Sequence, residues 1–243
     1  MEDRFYLDTE FTNGNYYRGD IFELALISEK TYRIFHQYIQ IPYDIPTYVK
    51  RMCKVSDLKL KRKGVPFAYM LQRLIQFIKS ETDTPTIIAH GGYLFDFPLL
   101  FANCLKHNID ITKEFKKYKF IDSIKVLKEF NICKKVGLQS ISENHYQQHS
   151  AVEDAKALMN VFTKQYPYKE IIKQTQLVYL TNGILQILEE KLPVSINELR
   201  SIVSTTYCIE QLIQKLEQYV YRKSALNRKQ LVKVSLYAYK YLR

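Results

Sequence analysis

The stretch FYLDTEFTNG (residues 5–14) decides how the rest of the chain is read. Three apolar residues, Phe5, Tyr6 and Leu7, run straight into two carboxylates, Asp8 and Glu10. The apolar run reads as a buried strand over residues 4 to 9. Side chains alternate along a strand, so Asp8 and Glu10 point to one side, separated by Thr9. Charges at the end of a buried element are costly without a partner, so the pair calls for a further group to meet it. The next segments, DIFELALIS (20–28) and TYRIFHQYIQ (31–40), read as two more strands joined by a short Glu29-Lys30 turn. Three strands this close in sequence imply an antiparallel meander.

Beyond the meander, helices alternate with strands. VPFAYMLQRLIQFIKS (65–80) places Phe67, Met70, Leu71, Leu74, Ile75 and Ile78 on one helical stripe. TIIAH (86–90) is a short buried strand, PLLFANCLKHN (98–108) a helix, and KYKFIDS (117–123) a further strand leading into a short helix around SIKVLKEF. SAVEDAKALMNVFTKQ (150–165) is an amphipathic helix. The pattern predicts an α/β fold with a mixed sheet flanked by helices. This domain is expected over residues 1–166, with YPYK (166–169) as the boundary. The remainder, 170–243, reads as a basic, all-helical accessory domain without strands, with Ser195 and Glu198 spaced as a capping box.

The chain has 243 residues and a net charge of +11, with 47% hydrophobic and 25% charged residues. That composition supports a buried core, and the excess of bases points to a polyanion such as nucleic acid. No stretch approaches the roughly 20 apolar residues of a spanning helix, and acids near the N-terminus argue against a secretory signal. Cys53, Cys104, Cys133 and Cys208 form no CxxC pair, which disfavours a zinc site and a disulfide framework. An intracellular setting, cytoplasmic or nuclear, is the simplest expectation. The run KLKRK (59–63) doubles as a candidate nuclear-localisation patch.

Further acids sit at the ends of apolar elements. Asp96 follows a glycine-rich turn and opens a helix, Asp122 ends a strand, and Asp154 lies on the 150–165 helix five residues after His149. Taken singly, each has a plain structural reading: Asp96 a helix N-cap, Asp122 a turn residue, Asp154 a solvated helix position, His149 a helix flank. Taken together, carboxylates that converge without bases between them repel one another, and a hard divalent cation removes that penalty. Two such ions about 4 Å apart stabilise the attacking and leaving oxygens of a phosphodiester, and a neutral histidine beside them takes the proton of the attacking water.

LDTEFTNG, AHGGYLFDFPLL (89–100) and HSAVEDA (149–155) resemble the three motifs of the DEDDh exonucleases, a branch of the ribonuclease H-like superfamily. Asp8, Glu10 and Thr12 meet the first motif, and His149, Ala151, Asp154 and Ala155 the third. Ser150 stands where the tyrosine branch requires Tyr. The middle motif and FIDSIKVLK look closest to the three-prime repair exonucleases. Two departures stand out: Gly91 where the family usually has Asn, and Asn13 inserted before Gly14.

The resemblance implies a ribonuclease H-like five-stranded mixed sheet. It implies two Mg2+ ions, with Mn2+ as a substitute, held by Asp8, Glu10 and Asp154, with Asp96 joining through water. His149 becomes the general base. It also implies release of nucleoside 5′-monophosphates from a 3′ end. Thr9, Phe11, Thr12, His90 and Phe95 are the expected substrate contacts, though Phe11 reads equally as core packing. The three-prime repair exonucleases are dimers, so a homodimer is among the expectations.

Bases concentrate at residues 50–64, seven against Asp57, and at 113–119, four against Glu114. After Glu217 no acid occurs, and bases from Arg222 to Arg243 interleave with Tyr219, Tyr221, Tyr237, Tyr239 and Tyr241. This tail suits a nucleic acid or a protein partner, or its tyrosines pack on a neighbouring domain. The leading expectation is a metal-dependent 3′–5′ exonuclease acting on single-stranded or frayed DNA 3′ ends. An RNA exonuclease with the same site, and a catalytically silent nucleic-acid-binding or polymerase-associated subunit, are the alternatives.

Overall fold

A computed structural model describes residues 3–14, 19–109, 112–115, 117–130, 136–142, 146–165, 178–179, 196–206 and 209–223. The basic, tyrosine-rich run at 224–243 lies outside the described residues. The chain divides into two compact units, Met1–Leu180 and Thr181–Arg243. In the second, the described elements are two helices, Ile196–Ser204 and Ile209–Lys223.

The first unit is built on a mixed sheet. Strand β1 (Arg4–Phe11) pairs antiparallel with β2 (Ile21–Ser28), and β2 with β3 (Ile34–Tyr38), the expected meander. On its other edge β1 pairs parallel with β4 (Thr86–Ala89), and β4 with β5 (Lys119–Asp122). Residues Val178–Tyr179 add a short antiparallel strand, β6, to β5, so the order is β3-β2-β1-β4-β5-β6. The β6 pair falls in the stretch expected to be wholly helical. Two residues carry no period of their own, and only the neighbouring edge of β5 makes them a strand.

β1 and β4 lie inside the sheet with both edges paired, which is why their runs Phe5-Tyr6-Leu7 and Thr86–Ala89 are apolar on both faces. The alternation sorts these faces. Tyr6, Ala25, Ile27, Ile88 and Ile121 join Leu158 and Phe162 of helix α8 (Ala151–Lys164) in one core. On the opposite face Phe5 meets Phe77 of α3 (Phe67–Lys79), ring centroids 6.4 Å apart. Phe120 meets Phe97 of α4 (Asp96–Lys106) at 4.9 Å. Four short helices escape the sequence reading: α1 (Thr47–Met52), α2 (Asp57–Lys63), α5 (Thr112–Phe115) and α7 (Leu138–Ile141). Each is too brief to show a clear apolar stripe. The expected helix after β5 is α6 (Ser123–Glu129). Among the described residues no helix is long and apolar enough to cross a membrane.

Candidate active site

The alternation of β1 builds the site. Asp8 and Glu10 share parity with Tyr6 and therefore face α8, where Asp154 lies in the first turn. One carboxylate oxygen from each of Asp8, Glu10 and Asp154 lies within 4.8 Å of the others. Thr9 has the opposite parity and faces α4, which Asp96 opens. The Asp96 Oδ1 accepts from the Thr9 amide at 3.0 Å and from the Thr9 hydroxyl at 2.7 Å. Asp96 is thereby clamped to β1 between the two acids, just outside the trio. The site stands at the carboxyl ends of the parallel strands, the usual ligand edge of such sheets.

A bulge sharpens this geometry. Glu10 is opposite Glu23, but Phe11 is opposite Ile21, so β2 carries one extra residue there. The added twist turns the end of β1 at the point where its carboxylates emerge.

The trio is short of compensating charge. Burial raises the Asp8 pKa well above the carboxylate range, and Asp96, Asp154, Glu10 and Glu23 push it further. Burial lifts Glu10 to about 8 despite a hydrogen bond from Cys53, whose Sγ lies 3.2 Å from Oε2. Burial lifts Asp96 to about 7 against the opposing pull of its Thr9 hydrogen bonds. Burial also raises Asp154, while the Ser150 amide at 3.1 Å, the Tyr146 hydroxyl and the charge of His149 oppose it. Three clustered, partly buried carboxylates form a hard oxygen donor set, and a divalent cation fits them.

The other sequence candidates divide. Phe11 and Phe95 stack on each other, centroids 5.8 Å apart at 17°, and Phe95 stays 44% exposed. They form an aromatic shelf at the end of β1, with Phe11 only part-buried. His149 is exposed at φ 59°, directly before α8. The hydroxyls of Thr9 and Thr12 both have partners within the protein. Thr9 is buried and spends its hydroxyl on Asp96. Thr12 is buried, accepts from the Asp20 amide at 3.0 Å and sits 3.1 Å from the Tyr43 hydroxyl. His90 is tied at Nδ1 to Ser123 Oγ at 2.8 Å, and burial lowers its pKa, so it packs as a neutral ring. Asp122 stays out of the acidic cluster. Its oxygens accept the amides of Gly91, Tyr93 and Ile124 at 2.9–3.1 Å, bracing the turn that delivers Asp96.

That turn explains the departure at Gly91. Its φ of +74° is one that glycine and asparagine tolerate best, and an added Cβ would lie 3.3 Å from Ile124 Cδ1.

Sequence reasoning missed Glu23, Cys53 and Tyr146. Glu23 is 2% exposed and held by His36 Nε2 at 2.8 Å. An acid inside the apolar run of DIFELALIS was the available signal.

The family model described as Exonuclease matches residues 5–162. This chain belongs to the exonuclease family. Several solved structures are similar to it. One is the zinc-bound E. coli exonuclease I complex with single-stranded DNA, at 13% identity and a TM-score of 0.61, covering 72% of this chain and 43% of that one. Another is the nuclease domain of 3′hExo, described as a DEDDh family member and bound to rAMP, at 16% identity and 0.58, over 73% and 96%. A third is the 3′-exonuclease recognising a histone mRNA stem-loop, at 15% and 0.59, over 73% and 85%. At these identities the shared property is the fold. The chain spans less than half the length of the exonuclease I it matches. No curated protein sequence matches it.

Proposed function

We propose that this chain is a metal-dependent 3′–5′ exodeoxyribonuclease that removes nucleoside 5′-monophosphates from single-stranded or frayed DNA 3′ ends. The observation that carries this reading is the meeting of Asp8, Glu10 and Asp154 oxygens within 4.8 Å, a repulsion that a bound divalent cation would relieve. Asp8, Glu10 and Asp154 would hold two divalent cations, Mg2+ or Mn2+, with Asp96 behind them. Such ions would supply neutralising charge for the attacking and leaving oxygens of the phosphodiester.

The chain's own groups do the rest. Thr9 and Asp122 keep Asp96 and its turn in place. The Phe11–Phe95 shelf supports the terminal base, a stack worth roughly 1–3 kcal/mol. His149, exposed beside Asp154, takes a proton from the attacking water. The oxygen of that water then bonds to phosphorus as the bond to the leaving 3′ oxygen breaks.

The preference for DNA rests on the likeness of Ala89–Leu100 to the three-prime repair exonucleases. A second reading, RNA as substrate, is favoured by the rAMP and histone mRNA stem-loop complexes, whose TM-scores of 0.58 and 0.59 stand beside 0.61 for exonuclease I. Incubation with 5′-labelled DNA and RNA of one sequence in Mg2+ tests both. A ladder shortening from the 3′ end of DNA, absent for Asp8→Ala, is expected. A ladder on RNA alone moves the assignment to RNA, and no ladder on either polymer refutes the catalytic reading.

A further inference from the structure

Beside the end of β1 lies a cavity of about 450 Å3 that the proposed chemistry does not use. Pro42, Tyr43, Lys61, Phe67, Ala68 and His107 form much of its wall. Its size is that of a small-molecule pocket.

Two features connect it to the acids. Tyr43, 45% exposed on the cavity wall, has its hydroxyl 3.1 Å from Thr12 Oγ1, two residues beyond Glu10 on the same chain. One wall of the cavity therefore lies next to the strand end that carries the site. Helix α2 gives the cavity Asp57, Leu60 and Lys61, and the same helix carries Lys59, Arg62 and Lys63 beside them. Asp57 is already engaged, by Lys50 and by the Ile45 amide at 3.0 Å, which leaves the helix with a net positive charge and Lys61 as the base on the wall.

The walls are aromatic as well as apolar. Phe67 stacks on the His107 ring, centroids 4.9 Å apart at 13°, and Tyr43 adds another ring. A simple anion has no need of such walls, and a purely apolar ligand has no need of Lys61 on the wall or of the basic helix that carries it. An aromatic base joined to phosphates uses both.

We propose that this cavity is a second base site, which takes an unpaired nucleobase of the same strand upstream of the scissile bond while α2 follows the adjoining phosphates. The proposal rests on the nuclease reading above and adds a position on the strand to it. It makes the protein a reader of strand length: substrates too short to reach the cavity lose affinity but keep their chemistry.

The test uses the full chain and a labelled DNA octamer with one abasic site, moved position by position from the 3′ end, bound in Ca2+ and followed by anisotropy. In wild type, one abasic position upstream of the terminal nucleotide should weaken binding roughly tenfold. Ala68→Trp, an exposed site whose indole would fill the cavity, should weaken the intact octamer by a similar factor and erase the dependence on that position. Lys61→Glu should weaken binding of every octamer. Hydrolysis of the p-nitrophenyl ester of thymidine 5′-monophosphate, which is too short to reach the cavity, should be equal in wild type and Ala68→Trp. A flat abasic profile upstream, or unchanged octamer affinity in Ala68→Trp, overturns the second site. Loss of ester hydrolysis in wild type with the abasic profile intact removes the catalytic reading and leaves the base site standing.

Discussion

Replacing Asp8 with Asn should make the metal-free protein more stable while abolishing its activity. Two full charges 4.8 Å apart cost about 3.5 kcal/mol at an effective dielectric of about 20. Asp8 has two such neighbours, Glu10 and Asp154. The cluster relieves part of this by holding protons, since Glu10 is pushed up to about 8 and Asp96 to about 7. The residual strain released by Asp8→Asn at pH 8 is therefore about 1–3 kcal/mol, or roughly 2–10 °C in Tm for a chain of this size. These carboxyls titrate higher in the folded state than unfolded. The stability they contribute is full below their unfolded pKa values of about 4 and is lost as pH rises through about 7–8. Thermal unfolding in EDTA across pH 5–9 should show wild type losing Tm toward pH 8 and Asp8→Asn losing less. Excess Mg2+ should reverse the order, because ligand binding stabilises only the form that holds it. An Asp8→Asn protein no more stable than wild type in EDTA at pH 8, or one that gains as much from Mg2+, would refute the repulsion argument.

Three other changes probe separate parts of the site. Asp122→Ala leaves the Gly91, Tyr93 and Ile124 amides without their acceptor and should cost about 2–4 kcal/mol in a denaturant titration; a loss under 0.5 kcal/mol contradicts the bracing role. Tyr146→Phe removes a hydrogen bond that favours ionised Asp154, so Mn2+ affinity by calorimetry should fall roughly fivefold at acidic pH, the loss shrinking as pH rises; a loss that does not change with pH speaks against it. Phe95→Ala opens the aromatic shelf and should raise KM for oligonucleotides roughly 5-fold or more with kcat little changed; an unchanged KM would mean the shelf holds no base.

What was legible in the sequence, and what was not, follows from the range of each interaction. Asp8 and Glu10 could be placed together because a strand's period of two is local. Asp154 could be placed in the first turn of an amphipathic helix because the period of 3.6 is local as well. Both faces of β1 then follow from one register. The tie of Thr9 to Asp96 was out of sight because the two are 87 residues apart. The partners of Thr12, Asp20 and Tyr43, were hidden for the same reason. Glu23 was hidden differently. Only the pairing Glu10↔Glu23, set beside a bulge that shifts the register one step later, brings a fifth carboxylate behind the site. Cys53 reaches Glu10 from the short helix-end segment after α1, a contact 43 residues long. The residues that sequence alone could assign are thus those whose orientation a single element dictates. Those that tune the acids, by donating to them or repelling them, take their roles from pairings between elements: a strand register for Glu23, a helix end for Cys53 and a helix start for Asp96.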